Sequence, residues 1–268
     1  MSATELAAAV APARPERVRR FEARRLRAPL SVLLLLGLWA GTAWLLAAPR
    51  LFPGPASVLE AVVRELVAGE LLFHLGWTLL RVAAAFALAM LVGAAIGIAM
   101  GRVAVLDDLG RPWLLFFLNL PALVTIVLCY VWIGLVEAAA VIAVAINKIP
   151  NVAVTVREGA RALDKSLFEM ARVFAVPRLA VLEHVVLPQL APYFLAAARS
   201  GLALVWKIVL VVELLGRPNG VGFQIHSAFQ LFDVATVLAY ALAFMGVVQL
   251  VEWLGFQPLQ RRLERWRR

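Results

Sequence analysis

One cysteine, Cys129, stands in 268 residues. An internal disulfide and a cysteine-based metal cluster are therefore both excluded. Charge is also scarce, with charged residues making up 16% of the chain and hydrophobic residues 63%. Soluble domains run near half apolar and a quarter charged. That shortfall, with a mean hydropathy of +0.88, excludes an ordinary water-soluble domain and predicts an all-α polytopic membrane protein. Acidic residues are outnumbered 17 to 26. Most of the arginines flank apolar runs, so the basic excess needs no nucleic acid to explain it. The three histidines, His74, His184 and His226, are scattered and predict no metal site. No Gly-rich phosphate loop, zinc-binding histidine pair or nucleophile elbow is present. The chain is thus expected not to be an enzyme and to bind no nucleotide itself.

What the chain does have is a polar island, Arg157 to Pro188, between long apolar runs. It carries Arg157, Arg161, Lys165, Arg172 and Arg178 against Glu158, Asp164, Glu169 and Glu183. A bilayer core cannot hold that many charges, so the island is expected in water at one membrane face. Leu163, Leu167, Met170, Phe174 and in part Ala171 recur at three- and four-residue steps, which predicts one apolar stripe on a short helix. Asp164 is placed to cap that helix or sit in its first turn. Pro177 stops it, and a second short helix is expected from Pro177 to Leu187-Pro188. Such a helical pair held between two spans suits the docking of another protein. A solvated loop with ordinary surface helices is the plainer alternative.

The residues of the island carry a resemblance. Glu169-Met170-Ala171, three residues, Ala175, nine residues, then Val185-Val186-Leu187-Pro188 resembles the EAA motif of bacterial ABC importer permeases, E-A-A-x3-G-x9-I-x-L-P. The spacing matches throughout, while Met170, Ala175 and Val185 depart from it. The resemblance runs from about residue 55 to the C-terminus and is to permeases of the nitrate/sulfonate/taurine group. It implies a type I importer fold working as a homodimer. It also implies cytoplasmic ATPase subunits that hold the ATP and magnesium, and an extracytoplasmic solute-binding protein. The first island helix would be a coupling helix, with Glu169 held by polar contacts and Ala171 and Ala175 allowing close approach. Leu187-Pro188 would set the turn back into the membrane. The docking set this implies is Asp164, Leu167, Glu169, Met170, Ala171, Arg172, Phe174, Ala175, Pro177, Leu187 and Pro188.

Read in order, the chain opens with a basic arm over residues 1–29. A first span follows, Leu30 to Ala48, with a signal peptide ending near Ala48 as the rival reading. Ser57 is expected to cap an amphipathic helix, Val58 to Glu70, lying on the outer surface. The second span is about Leu71 to Met100, where Gly93, Gly97 and Gly101 fall at four-residue steps that permit close helix approach. Arg102 to Arg111 reads as a polar loop. The third span is Pro112 to Ile133 with a kink at Pro121. The fourth is Ala138 to Val156, interrupted at Asn147-Lys148-Ile149-Pro150. The fifth is Ala191 to Leu215 and the sixth Val234 to Phe256, followed by a basic tail over 257–268. The transmembrane domain is thus residues 30–256, with 157–188 as its coupling loop. The arm, the second-to-third loop, the island and the tail hold nineteen basic residues, and the opposite segments hold three, Arg50, Arg64 and Arg217. That asymmetry predicts a multi-pass protein with both termini and the island cytoplasmic, and the resemblance implies that the membrane is the bacterial inner membrane.

Arg81, Lys148, Arg199 and Lys207 fall inside spans, where an unpaired charge is costly. Arg81 and Arg199 are expected to snorkel toward an interface or form a local salt bridge. Asn147, Lys148, Lys207 and Glu213 are candidates for the translocation pathway, the lysines favouring an anionic solute, and the resemblance implies one such as nitrate, a sulfonate or taurine. Lys207 and Glu213 are six apart and point to different faces of a regular helix. Two rivals stand beside the importer reading. A secondary transporter or channel would work without an ATPase, and a membrane scaffold would have no pathway at all.

Overall fold

The computed structural model describes residues 16–256 and residue 258. The expectations for residues 1–15 and most of the basic tail lie outside the described residues. Every regular element among the described residues is helical. The chain divides into two compact units, Met1–Glu60 and Ala61–Arg268. In the first, helix α1 (Glu16–Leu46) carries the arm into the first apolar run without a break. The indole Nε1 of Trp39 donates to the Pro53 carbonyl at 3.1 Å, tying the proline-rich turn back to that helix. Helix α2 (Pro55–Val67) starts at the proline, whose fixed φ is already helical. Ser57 therefore sits inside the first turn and does not cap it.

The second unit contains α3 (Glu70–Arg102), α4 (Ala104–Asn119), α5 (Ala122–Ile133), α6 (Glu137–Arg161), α7 (Lys165–Val173) and α8 (Arg178–Val181). A π turn, Leu182–Val186, then joins α8 to α9 (Leu187–Gly216), and α10 (Val221–Gln230) and α11 (Val234–Val251) follow, the last running into a second π turn, Glu252–Phe256. Among the described residues, four helices are long and apolar enough to cross a membrane, and a fifth crossing is reached if α4 and α5 form one span. Leu30–Leu46 is apolar but short, rising about 25 Å. The expected six spans appear only if that segment and the bent pair are both counted.

Three expected boundaries move, each for a local reason. Arg102 to Arg111 is not a loop: only Val103, at φ −122° and ψ 109°, interrupts the helices, and α4 resumes at Ala104. Pro121 does more than kink the third span. It forces Leu120 to ψ 122°, as the residue before a proline must go, and α4 and α5 meet at 96°. The fourth span is not interrupted. Pro150 lies within a continuous α6, which runs on through Arg157 to Arg161 and absorbs the first turn of the island.

Helix α6 is central, with α3, α4, α5 and α9 packed around it. The glycine stripe sets the α3–α6 distance. A Cβ on Gly97 would lie 2.6 Å from the Ala153 carbonyl oxygen, and one on Gly101 would lie 2.5 Å from the Ala160 Cβ. Backbone meets backbone there, so only glycine fits. Trp206, unlike an interface anchor, is buried edge-on against Phe244 with ring centroids 5.6 Å apart.

Candidate functional site

Charge concentrates at the two ends of the α3–α6–α9 core. Where α6 begins and α9 stops, Arg81 of α3 is the hub. Its Nε and Nη2 donate to both oxygens of Glu137 at 2.8 Å, and Nη1 donates to Glu213 at 2.7 Å and to the Asn219 carbonyl at 2.9 Å. Arg81 is 3% exposed and Glu213 fully buried, so Arg81 does not snorkel. Glu213 also accepts from Thr78 at 3.0 Å and from the Gly222 amide at 2.8 Å. The turn after α9 wraps this carboxylate closely. Gly220, at φ +108°, passes so near that a Cβ would lie 2.3 Å from the Glu213 carboxyl carbon. The Gly220 amide donates to His74 and the Val221 amide to Thr78, both at 2.9 Å. Arg217 closes the set on Glu137. Spacing along the chain missed this cluster, because its members come from three helices and a turn. The clue was the glycine-rich Gly216–Gly222 turn less than one helical turn after the acidic Glu213.

At the other end, the buried Asp107 in the first turn of α4 accepts from Arg157 and Arg161 of α6 and from Arg111 at 3.1 Å. Arg157 was expected in water but is 8% exposed, and this pair fixes α4 to α6. Beyond it, Asp164 caps α7, accepting from the Ser166 amide at 2.8 Å. The Ser166 hydroxyl and amide hold that carboxyl below the usual carboxylate range. The Asp164 amide in turn donates to Gln189 at 2.9 Å, tying α7 to the base of α9.

The single apolar stripe expected on α7 divides into two. Leu163, just before the helix, and Ala171 are buried, and Leu167 is half-buried. Met170 and Phe174 are open, at 54% and 74% exposure, with Val173 beside them at 81%. Phe168, which the periodicity did not single out, packs with Leu163 and Leu190 under the Arg102 guanidinium, 4.8 Å from its ring. Leu167, Met170, Ala171 and Phe174 form one wall of a groove of about 270 Å³, with Val176, Ala180, His184 and Val185 opposite. The side chains of Glu169 and Arg172 are exposed, with no hydrogen-bond partner among the described residues.

Ala175 occupies the position where the resembled motif has glycine, and it holds φ +48°. Its amide donates to the Arg172 carbonyl at 3.1 Å and the Val176 amide to the Ala171 carbonyl at 2.8 Å. That pair of bonds is a Schellman helix end, whose αL residue is usually glycine. The departure therefore leaves the turn intact at a cost in backbone strain. Pro177 then caps α8. Leu187 and Pro188 do not turn the chain: α8, the π turn and α9 run on as one helix, Arg178–Gly216.

Of the pathway candidates, Asn147 donates to the Ala143 carbonyl of its own helix at 2.8 Å. Glu213 belongs to the Arg81 cluster. Lys148 is 1% exposed, and a Cβ on Gly201 of α9 would lie 2.7 Å from its Cε. Lys207 is exposed on α9. Arg199 forms the local salt bridge expected of it, with Glu252 at 3.0 Å. Among the described residues no cluster of His, Cys, Asp or Glu is suited to hold a metal ion.

Residues 89–264 match the family described as the binding-protein-dependent transport system inner membrane component. The taurine transport system permease protein of Escherichia coli is 29% identical, the match covering 87% of this chain and 86% of that one. The putative aliphatic sulfonates transport permease protein of Bacillus subtilis is also 29% identical, over 80% and 78%. The bicarbonate transport system permease protein of Synechococcus elongatus is 28% identical, over 75% and 78%. Among solved structures, the inward-facing MetNI methionine ABC transporter superposes with a TM-score of 0.62 at 17% identity, covering 74% of this chain and 98% of that one.

Proposed function

Because the chain belongs to the binding-protein-dependent inner-membrane permeases of ABC importers, we propose that two copies form the path for a small anionic solute and are driven by separate ATPase subunits through α7. The observation that carries this reading is the open apolar face of Met170, Val173 and Phe174. That face stands on a capped helix tied to the base of α9 through Gln189. Large exposed apolar side chains beside free charges mark a protein contact. A push on α7 reaches α9 through the Asp164–Gln189 bond and through the continuous α8–α9 helix. Nucleotide state biases the spans only through contacts at this face that differ between states. The island and both termini then lie in the cytoplasm, as the basic asymmetry requires. A solute-binding protein delivers cargo at the opposite face. The anionic cargo rests on the relatives named for taurine, sulfonates and bicarbonate.

The second copy has a physical warrant in α9. Ser200, Ala203, Leu204, Lys207, Val211 and Leu214 form one exposed face. A lysine in that face is too costly to leave against lipid, whereas a water-filled route between two copies accommodates it.

The test is reconstitution of the full chain with its ATPase and binding protein in liposomes, measuring uptake of taurine, an alkanesulfonate and bicarbonate. Uptake that requires ATP and is lost with Glu169→Lys is the expected result. Uptake driven by an ion gradient without the ATPase would overturn the reading in favour of a secondary transporter.

A further inference from the structure

The cations of the spans divide by residue type. Arg81 and Arg199 each meet a carboxylate. Lys148 and Lys207 meet none among the described residues. Both lie deep. Lys148 is eleven residues from the start of α6 and Lys207 nine from the end of α9, about 16 and 14 Å of helix rise. That is farther than a lysine stem reaches along a helix. A charge held at mid-membrane without a partner is costly unless something supplies the opposite charge.

The two sites differ in access. Lys207 stands open on the exposed face of α9, among the small and apolar side chains Ala203, Leu204 and Val211. Lys148 is closed off where α6 crosses α9. Its stem lies over Gly201, whose missing side chain makes the room, and Phe86 borders the same spot. Gly201 and Lys207 are six residues apart on one helix, so the two sites are separated by about 9 Å of helix rise.

We propose that Lys207 and Lys148 are successive counter-charges for the anionic group of the solute. Lys207 meets it in the open route, and Lys148 receives it one level further in when α9 shifts off the α6 crossing. This rests on the importer reading for its direction and for the open route between two copies. The ligand is a small solute bearing a carboxylate, sulfonate or similar anionic oxygen group. A phospholipid phosphate offers the same chemistry, but it would require the α9 face to lie against lipid.

The probe is a pair of thiol reagents, one carrying a sulfonate and one a quaternary ammonium. They are applied to the full-length chain with Cys129→Ala and Leu204→Cys, in membranes open to reagent on both sides. The introduced thiol lies one turn from Lys207. The expected result is reaction from water, with the sulfonate reagent favoured. Lys207→Met lowers the ratio of the two rates roughly tenfold, the size Coulomb's law gives for a unit charge a few ångströms away in a wet passage, and Lys207→Arg restores it. Ser200→Cys with Lys148→Met reads the second lysine in the same way. Silence of both reagents at position 204 would place that face in lipid and overturn the proposal. A ratio unchanged by Lys207→Met would overturn it as well. Failure of ATP-driven uptake with a lysine-dependent ratio would instead overturn the importer reading and leave the anion site standing.

Discussion

At the end of the core where α6 begins and α9 stops, Arg81, Glu137, Glu213 and Arg217 turn inward and hold one another. At the island end, Asp107 does the same for α4 and α6, but one helix further out the rule reverses. Glu169 and Arg172 are open, and Met170, Val173 and Phe174 face outward uncovered. The first arrangement pairs each of its carboxylates with arginine, and of its buried groups the Arg217 Nε is left without a partner among the described residues, so it offers little for another protein to add. The second leaves both apolar area and charge unspent, as a surface does when its complement is another protein. The contrast predicts that substitutions at the first end cost stability, and that substitutions at the second cost coupling.

The largest effect is expected at Arg81. Arg81→Met leaves the fully buried Glu213 carboxylate without its cation, which typically costs about 3–5 kcal/mol. The readout is thermal unfolding of the detergent-solubilised chain. Adding Glu213→Met removes the orphaned charge, and the double variant recovers most of the loss, since a buried ion pair replaced by apolar side chains is often neutral. A double variant as unstable as the single one would show that the turn, held by the Gly222 amide, depends on the carboxylate for more than its charge.

Next is the α3–α6 seam. Gly97→Val puts a branched side chain where even a Cβ is too close to the Ala153 carbonyl, and overpacking of this kind costs about 1–3 kcal/mol. Gly76→Val, on the same helix but with nothing within 4 Å of its Cβ, is the control and is expected to leave the melting temperature near that of the parent.

How much of this was legible follows from where each signal lives. Apolar run length placed the spans, and a four-residue glycine step marked a close-approach face on α3 without naming the helix it meets, because both are local patterns read along one helix. The α7 cap and its end at Ala175 were within reach for the same reason, whereas the partner of Arg199, Glu252, lies beyond α11 and only the fold supplies it. The Arg81–Glu137–Glu213 cluster was not, since its residues are 56 and 132 apart in sequence and only the fold brings them together. Proline was misread twice in opposite senses. Pro150 is tolerated within α6, whereas Pro121 ends one helix and starts another at 96°. Each depends on whether packed neighbours hold the helix axis across the missing amide bond, which composition does not record. The α7 stripe was correctly found and wrongly treated as one face: Phe168 takes the anchoring role, which frees Met170 and Phe174.

A smaller effect, of opposite sign, is expected at the end of α7. Ala175 holds φ +48°, a conformation that costs a residue with a Cβ about 1–2 kcal/mol. Glycine removes that strain but gains about 0.4–1 kcal/mol of unfolded-state freedom. Ala175→Gly is therefore expected to stabilise the chain by about 0.5–1 kcal/mol, measured as a raised unfolding midpoint. A drop would mean that the methyl group packs against a neighbour in a way that outweighs its backbone strain.

The least effect on stability and the greatest on coupling are expected together at Phe174. Its ring is 74% exposed and makes no ring contact among the described residues, so Phe174→Asp belongs with surface changes that move stability by no more than about 0.5 kcal/mol. As the centre of a docking face the same ring is a candidate hot spot. Its loss, together with a carboxylate in the contact, is expected to weaken ATPase binding by about 2 kcal/mol or more, some thirtyfold. The two measurements are a melting curve of the permease alone and the ATPase affinity of the intact chain in nanodiscs. Unchanged melting with lost affinity keeps the two ends of the molecule distinct in kind. If Phe174→Asp instead lowers the melting point as far as Gly97→Val does, the ring packs within its own chain in the folded protein. The contrast between a paired end and an open one would then fail where it matters most.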